Sequence, residues 1–117
     1  MSENTRCQGW WEQGHVGRQQ MEGLMMQIDG NRISGSGYDM VGTFTFDGTI
    51  TDENDVLMTK QYLGQHAVVY RGEFNGSDKM WGIWEMWFDK GPWEISFRAS
   101  ATKKETAKKE EEAKIGY

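Results

Sequence analysis

The sequence predicts an all-β fold, in which about eight antiparallel strands follow one another around an up-and-down barrel. Turn-forming residues recur roughly every dozen positions over residues 52–92, close to the spacing of a meandering sheet. The stretches between these turns are rich in aromatic and β-branched residues, which favour strands. The chain also has 15 glycines and a single proline, a balance that suits tight turns and strand bends.

The predicted strands cover residues 9–13, 20–28, 32–38, 40–50, 56–63, 66–74, 80–88 and 93–99. Clear turn signals lie at residues 29–31, 52–55, 63–65, 75–78 and 89–92, and a weaker one lies near Tyr38 and Asp39. Asp47-Gly48 has two interpretations, a hairpin turn or a bulge within one long strand. We favour the long strand, because alternation continues through both residues.

The barrel is predicted to occupy residues 9–100, after a flexible N-terminal segment of residues 1–8. Residues 101–117 are predicted to form a charged helix and tail. Thr102 and Glu105 have the spacing of a capping box, and Glu105–Lys109 and Glu110–Lys114 are i,i+4 pairs. This helix is polar on all sides, so it has no apolar stripe with which to cover the barrel.

The overall charge and the cysteine content argue against several classes of protein. The net charge is −5, whereas a nucleic-acid-binding surface is usually basic. A single cysteine, Cys7, cannot form an internal disulfide, which favours a reducing compartment. The N-terminal residues carry no apolar signal core, and no apolar run approaches the roughly 20 residues that span a bilayer. We therefore expect a cytoplasmic protein that binds neither nucleic acid nor membrane.

Strand alternation places a set of large side chains on inward faces. We predict that these residues line a cup for a small apolar or aromatic ligand, beside adaptable methionines. The predicted ligand-binding residues are Trp10, Phe44, Phe46, Tyr70, Trp84 and Trp93. The alternative is a barrel filled by its own side chains, as is usual at this size.

The segment 80–88 is apolar on both faces, so a second layer is needed outside it. Trp81, Ile83 and Trp87 share the outer face, and tryptophan is enriched at interface hot spots. We expect another copy of the barrel to cover them, with a dimer favoured as the commonest symmetric oligomer. A homo-oligomeric interaction module with a filled barrel is therefore an alternative function.

A second alternative is a small enzyme. The hairpin at residues 63–65 brings His66 near Tyr62 and Lys60, a set able to perform acid–base chemistry at a barrel end. The competing interpretation is that these are ordinary barrel residues whose polar tips are satisfied locally. His15, His66 and Cys7 share no ligand spacing, so we predict no metal site and no cofactor.

Gly9-Trp10-Trp11 supplies a Gly-x-Trp motif in the first predicted strand. With the barrel topology, it resembles the calycin superfamily of lipocalins, fatty-acid-binding proteins and avidins. The resemblance implies that Trp11 plugs one barrel end and that Arg98, near the last strand, lies against it. Residues 60–72 also look like a strand pair of uncharacterised small barrel proteins, a likeness that carries no function. The leading hypothesis is a non-enzymatic small-molecule-binding barrel that self-associates.

Overall fold

The computed structural model describes residues 4–97, which form a closed antiparallel barrel. Each strand pairs with the next, and β8 pairs back with β1. The strands are β1 (Thr5–Gln13), β2 (Gly17–Asp29), β3 (Arg32–Tyr38), β4 (Thr43–Ile50), β5 (Asp55–Tyr62), β6 (Ala67–Phe74), β7 (Lys79–Met86) and β8 (Asp89–Phe97). The predicted all-β up-and-down barrel is confirmed. Arg98 and the predicted C-terminal helix lie outside the described residues.

Strand β1 is longer than predicted and closes the barrel. It starts at Thr5, so residues 5–8, which we had assigned to a flexible segment, belong to the sheet. Cys7 pairs with Phe97 and Trp11 with Trp93, which joins the first strand to the last. Closure gives hydrogen-bond partners to the backbone groups at both edges of the sheet. Residues 5–8 gain such partners, and a local sequence pattern does not reveal them.

The prediction for the last hairpin is wrong. Residues 89–92 form strand rather than turn, and Met86 pairs directly with Asp89, which leaves Trp87 and Phe88 as a two-residue turn. Gly91 is needed for close approach, because a Cβ there would lie 2.1 Å from the Glu12 carbonyl oxygen. The Trp84 indole donates to that same oxygen at 3.0 Å. A glycine that makes room for a neighbouring strand therefore looked like a turn glycine in the sequence.

The barrel interior is packed with the alternating inward side chains of all eight strands. Half of its 18 buried apolar residues are tryptophan, phenylalanine or methionine. The most deeply buried large side chains are Trp93, Tyr70, Phe44, Phe46, Lys60, Leu24, Met26, Ile33, Met58, Met80 and Ile95. Asp47 and Gly48 lie within one continuous strand, as predicted.

One end of the barrel, here called the mouth, carries exposed apolar residues on its loops. It is formed by residues 14–16, 39–42, 63–66 and 87–88, which join β1–β2, β3–β4, β5–β6 and β7–β8. Each of these loops presents at least one exposed large apolar side chain: Val16, Met40, Leu63, Trp87 and Phe88. The loops of the opposite end are polar. The two ends of the barrel therefore differ in chemistry.

Candidate functional site

A buried charge lies inside the mouth. Lys60 is in β5, where Val56, Met58 and Tyr62 also face inward, and it is the one charged residue among the fully buried residues of 4–97. Asp39 comes from the β3–β4 loop and inserts its carboxylate into the barrel. The side chains of Lys60 and Asp39 are 1% and 0% exposed, and Nζ lies 2.8 Å from Oδ2. A strand and a loop thus meet in a buried ion pair.

The Asp39 carboxylate accepts four hydrogen bonds, three at Oδ2 and one at Oδ1. Oδ2 accepts from Lys60 Nζ at 2.8 Å, from the Tyr62 hydroxyl at 2.8 Å and from Trp11 Nε1 at 3.0 Å. Oδ1 accepts from the Val41 backbone amide at 3.0 Å. Lys60 Nζ also lies 3.2 Å from the Tyr70 hydroxyl. Trp11, Lys60 and Tyr62 are called the donor set below.

Aromatic rings surround the Lys60 ammonium. Nζ lies 4.3 Å from the Phe44 ring centroid, 4.9 Å from that of Tyr62 and 5.3 Å from that of Tyr70. The rings of Trp11 and Phe46 follow at 5.5 and 5.9 Å. The negative faces of such rings attract a cation within about 6 Å. These contacts offset part of the free energy that burial of the charge costs.

Burial and neighbouring charges shift the pKa values of this cluster. Burial lowers the pKa of Lys60 to about 8, against the opposing hydrogen bond and charge of Asp39. Burial alone would raise the pKa of Asp39, but Lys60, the Tyr62 hydroxyl and the Val41 amide together hold it below its ordinary value. Burial, and then Asp39, raise the pKa of Tyr62. At neutral pH the pair is therefore ionised and the tyrosine is protonated.

A small cavity opens above the cluster. Its volume is about 40 Å³, and it is lined by Trp11, Gln13, Val41, Tyr62, His66, Val68, Tyr70, Trp84 and Met86. Trp11 and Trp84 meet edge to face, with ring centroids 6.3 Å apart. Pockets that enclose a drug-sized molecule have roughly 300–1,000 Å³. As it stands, the cavity therefore accepts only a few atoms.

His66 lines the cavity, and the ring of Trp87 packs against His66 from outside it. The His66 ring lies 5.2 Å from that of Tyr62 and 5.6 Å from that of Trp87. Trp87 is 80% exposed. Its φ is 50°, a left-handed conformation that is unfavourable for a bulky residue. Strain of this kind persists where the surrounding structure imposes it, often beside a functional site.

The structure brings together only part of the predicted ligand cup. Tyr70 and Trp84 line the cavity. Phe44, Phe46 and Trp93 are packed in the core instead. Trp10 lies on the outer face, where the Arg18 guanidinium stacks 3.7 Å above its ring. The barrel interior is thus filled, and the cavity that Tyr70 and Trp84 line lies at the mouth.

The other predicted residues separate into two regions. Trp81 and Ile83 lie on the outer wall and are 38% and 44% exposed. Trp87 does not share their face, because the hairpin turns at that residue. Trp11 is buried at the mouth end, as a plug would be, but its indole pairs with Asp39.

Sequence reasoning missed Asp39, which supplies the acceptor at the centre of the site. It had been assigned only to a weak turn, and no local pattern distinguishes it from a solvent-exposed turn aspartate. Lys60 was a weak catalytic candidate. The signal for its burial was present, since β5 alternates strictly and Lys60 falls on its apolar face.

Comparison with protein-family models, with curated proteins and with solved structures finds no match. Within residues 4–97, no three His, Cys, Asp or Glu side chains are arranged to hold a metal ion. The same residues contain no helix with the length and apolarity that a bilayer crossing requires.

Proposed function

We propose that this protein is a non-enzymatic binding protein that takes a small, planar ligand at the mouth of its barrel. The observation that carries the proposal is the mouth cavity, whose tryptophan, tyrosine and histidine walls include two hydrogen-bond donors, Trp11 and Tyr62. Flat apolar walls and a few convergent polar groups are typical of small-molecule sites. The strained, exposed Trp87 provides a further ring beside the cavity, against His66.

An enzymatic role has less support. Lys60 and Tyr62 are both engaged with Asp39, so neither presents a free base to the cavity. His66 lines the cavity, and no carboxylate of residues 4–97 lies within hydrogen-bond distance of its ring, which leaves it unlike the oriented bases of nucleophilic sites. We therefore place His66 in the binding wall.

Two neighbouring valines on β6 allow a matched test. Val68 lines the cavity, whereas Val69 faces outward. Val68→Phe is expected to fill the cavity, and Val69→Phe adds the same volume outside. Tryptophan emission is measured while a library of small aromatic compounds is titrated into each protein, because Trp11 and Trp84 line the site.

A saturable emission change in the wild type and in Val69→Phe, absent in Val68→Phe, is the expected result. No saturable change with any compound would remove the support for a binding site at the mouth. Equal responses in both variants would place the ligand elsewhere on the protein.

We also propose self-association through the outer wall, as a second function. Leu57, Trp81 and Ile83, here the outer-wall patch, are 46%, 38% and 44% exposed. Leu57 and Ile83 both pair with Arg71 across adjacent strands. Two ion pairs lie beside these residues, Arg71–Glu85 at 3.7 Å and Lys79–Glu94 at 3.6 Å. Arg71 therefore lies between two apolar side chains, and a surface that combines apolar groups with charges of both signs suits contact with a second copy.

The mass in solution tests this second proposal. A mass that rises with concentration in the wild type and in the control Thr45→Glu, but stays at the monomer value in Ile83→Glu, is expected. A wild-type monomer at high concentration would exclude it.

The calycin resemblance and the cytoplasmic location remain proposals. The calycin resemblance is supported by Trp11, which lies at a barrel end. A cytoplasmic location is supported by Cys7, a buried free thiol whose pKa burial raises to about 12. Such a thiol does not depend on an oxidising compartment.

A further inference from the structure

We propose that the donor set is a carboxylate-binding site which Asp39 occupies from within the chain, and that an aromatic monocarboxylate displaces it. This inference rests on the proposed binding function, and it names the class of the ligand. In this proposal the β3–β4 loop, residues 39–42, plugs the barrel until a ligand carboxylate takes the place of the Asp39 carboxylate.

The donor set is rigid, and its acceptor is not part of it. Trp11 lies in β1, and Lys60 and Tyr62 lie in β5, so two strands of the closed barrel hold all three donors. The three donors converge on one oxygen atom, Oδ2 of Asp39, at 2.8–3.0 Å. Convergence of a cation and two neutral donors on a single oxygen is the geometry that recognises a carboxylate.

Asp39 reaches this position from a surface loop. Its side chain is fully buried although the residue as a whole is partly exposed, so the carboxylate projects inward from backbone at the rim. A bond from Asp39 N to Gly42 O at 3.0 Å closes the loop, and the Gln65 side chain contacts the Val41 carbonyl at 3.3 Å. Outward movement of residues 39–42 as a unit would break the Gln65 contact and the bonds to the donor set, and it would leave every strand paired.

Displacement of the loop would also enlarge the cavity enough to admit a ring. At about 40 Å³ the cavity is too small for an aromatic ring. Val41 lines it, and so do Trp11 and Tyr62, whose donor atoms are turned toward the Asp39 carboxylate. When Val41 and Asp39 leave together, the cavity joins the space over the donor set. A ring would then lie between Trp84 and Tyr70, with its carboxylate against Lys60.

The chemistry of the donor set selects the class of ligand. Lys60 carries a positive charge in a water-poor, aromatic surrounding, and it needs one negative partner when Asp39 leaves. A neutral amide or alcohol would leave that charge unpaired. A second carboxylate on the ligand would be buried without a cation, because Lys60 is the one charged residue among the buried residues of 4–97. The site therefore favours a single carboxylate on a flat ring.

The test removes the internal competitor and supplies an external one. Asp39→Ala empties the acceptor position, and benzoate is titrated into the variant while the thermal midpoint is followed. We expect benzoate to raise the midpoint of Asp39→Ala, with an apparent affinity at least about tenfold tighter than for the wild type, since no internal carboxylate competes. Benzamide, which has the same ring and no charge, is expected to have no effect.

Two controls make the result specific. The double variant Asp39→Ala/Lys60→Met keeps the space and loses the cation, so its midpoint should not respond to benzoate. Asp47→Ala removes an exposed aspartate that pairs with Arg32, and it should behave as the wild type does. No response of Asp39→Ala, or the same response to benzamide, or a response that persists in the double variant, would overturn the proposal.

A measurement on the wild type serves if Asp39→Ala does not fold. The Trp11 indole N–H donates to Asp39, so its proton resonance reports the occupant of the donor set. A saturable shift of that resonance with benzoate and none with benzamide is expected. An unchanged resonance at benzoate concentrations that saturate weak sites would refute the proposal.

The two proposals fail separately. If Val68→Phe blocks neutral aromatic ligands but benzoate affects neither Asp39→Ala nor the Trp11 resonance, the mouth binds ligands and the carboxylate assignment is wrong. If no compound changes the tryptophan emission but benzoate stabilises Asp39→Ala, the donor set is correctly assigned and the proposed function of the wild type fails.

Discussion

Replacement of Lys60 by methionine removes the charge that Asp39 pairs with inside the barrel and changes the side-chain volume little. Loss of one partner from a buried pair costs about 3–5 kcal/mol, because the other charge stays buried. Asp39 keeps three donors, Tyr62, Trp11 and the Val41 amide, so we expect the lower end, about 3 kcal/mol. Asp39→Asn leaves the Lys60 ammonium unpaired, and a similar loss is expected.

The double variant distinguishes pairing from packing. Lys60→Met with Asp39→Asn has no buried charge, and the asparagine oxygen still accepts from Trp11 and Tyr62. Replacement of a whole buried pair is often close to neutral, so we expect a loss of about 1–2 kcal/mol rather than the sum of about 6. The resulting coupling energy is about 4–5 kcal/mol, far above that of an exposed pair.

Urea unfolding, followed by tryptophan emission and extrapolated to water, measures these four free energies. The exposed pair Arg32–Asp47, at 2.8 Å, provides the control cycle, for which less than about 1 kcal/mol of coupling is expected. Additive losses at Asp39 and Lys60 would refute the argument, since they would mean that neither charge depends on the other.

Three further predictions follow from the same structure. The pKa of Lys60 is about 8 in the fold and 10.5 ordinarily, so the unfolded chain binds more protons between these values. The stability of the wild type relative to Lys60→Met should therefore rise by about 1 kcal/mol from pH 8 to pH 9, measured by urea unfolding; a fall would contradict the buried-charge interpretation. Gly82→Ala places a Cβ 1.9 Å from the Arg71 carbonyl oxygen and should cost about 3 kcal/mol or more, against about 1 kcal/mol for Gly64→Ala in open space, and equal losses would disprove the close approach. Trp87→Gly relieves a φ of 50° and should leave the unfolding free energy unchanged or about 1 kcal/mol higher while ligand-dependent emission weakens; a large loss of stability would show that the ring is structural.

Much of the fold was predictable from local patterns. Alternation along β4 placed Phe44 and Phe46 inside and kept Asp47-Gly48 within one strand. The turn signals near residues 30, 53, 64 and 76 mark real connections. Side chains in a strand point alternately to opposite faces, so a few residues suffice to assign them. The prediction failed at Gly91, where the reason for the glycine is the neighbouring β1 backbone.

The functional site was predictable only in part. His66, Tyr62 and Lys60 were grouped by one hairpin, and the structure does place all three at the mouth. Asp39 is 21 residues from Lys60 and was not connected with it, because the destination of a loop side chain depends on what lies beneath the loop.

By itself, the sequence determined most of the strands and their order, and it contained the alternation that puts Lys60 on the inward face of β5, since these follow from the two-residue period of a strand and from turn chemistry. Tertiary structure decided the remainder. Closure of β8 onto β1 brought Trp11 beside β5 and formed the space that Asp39 enters. A charge placed inside a barrel needs a partner, and only the closed barrel determines which residue can reach it.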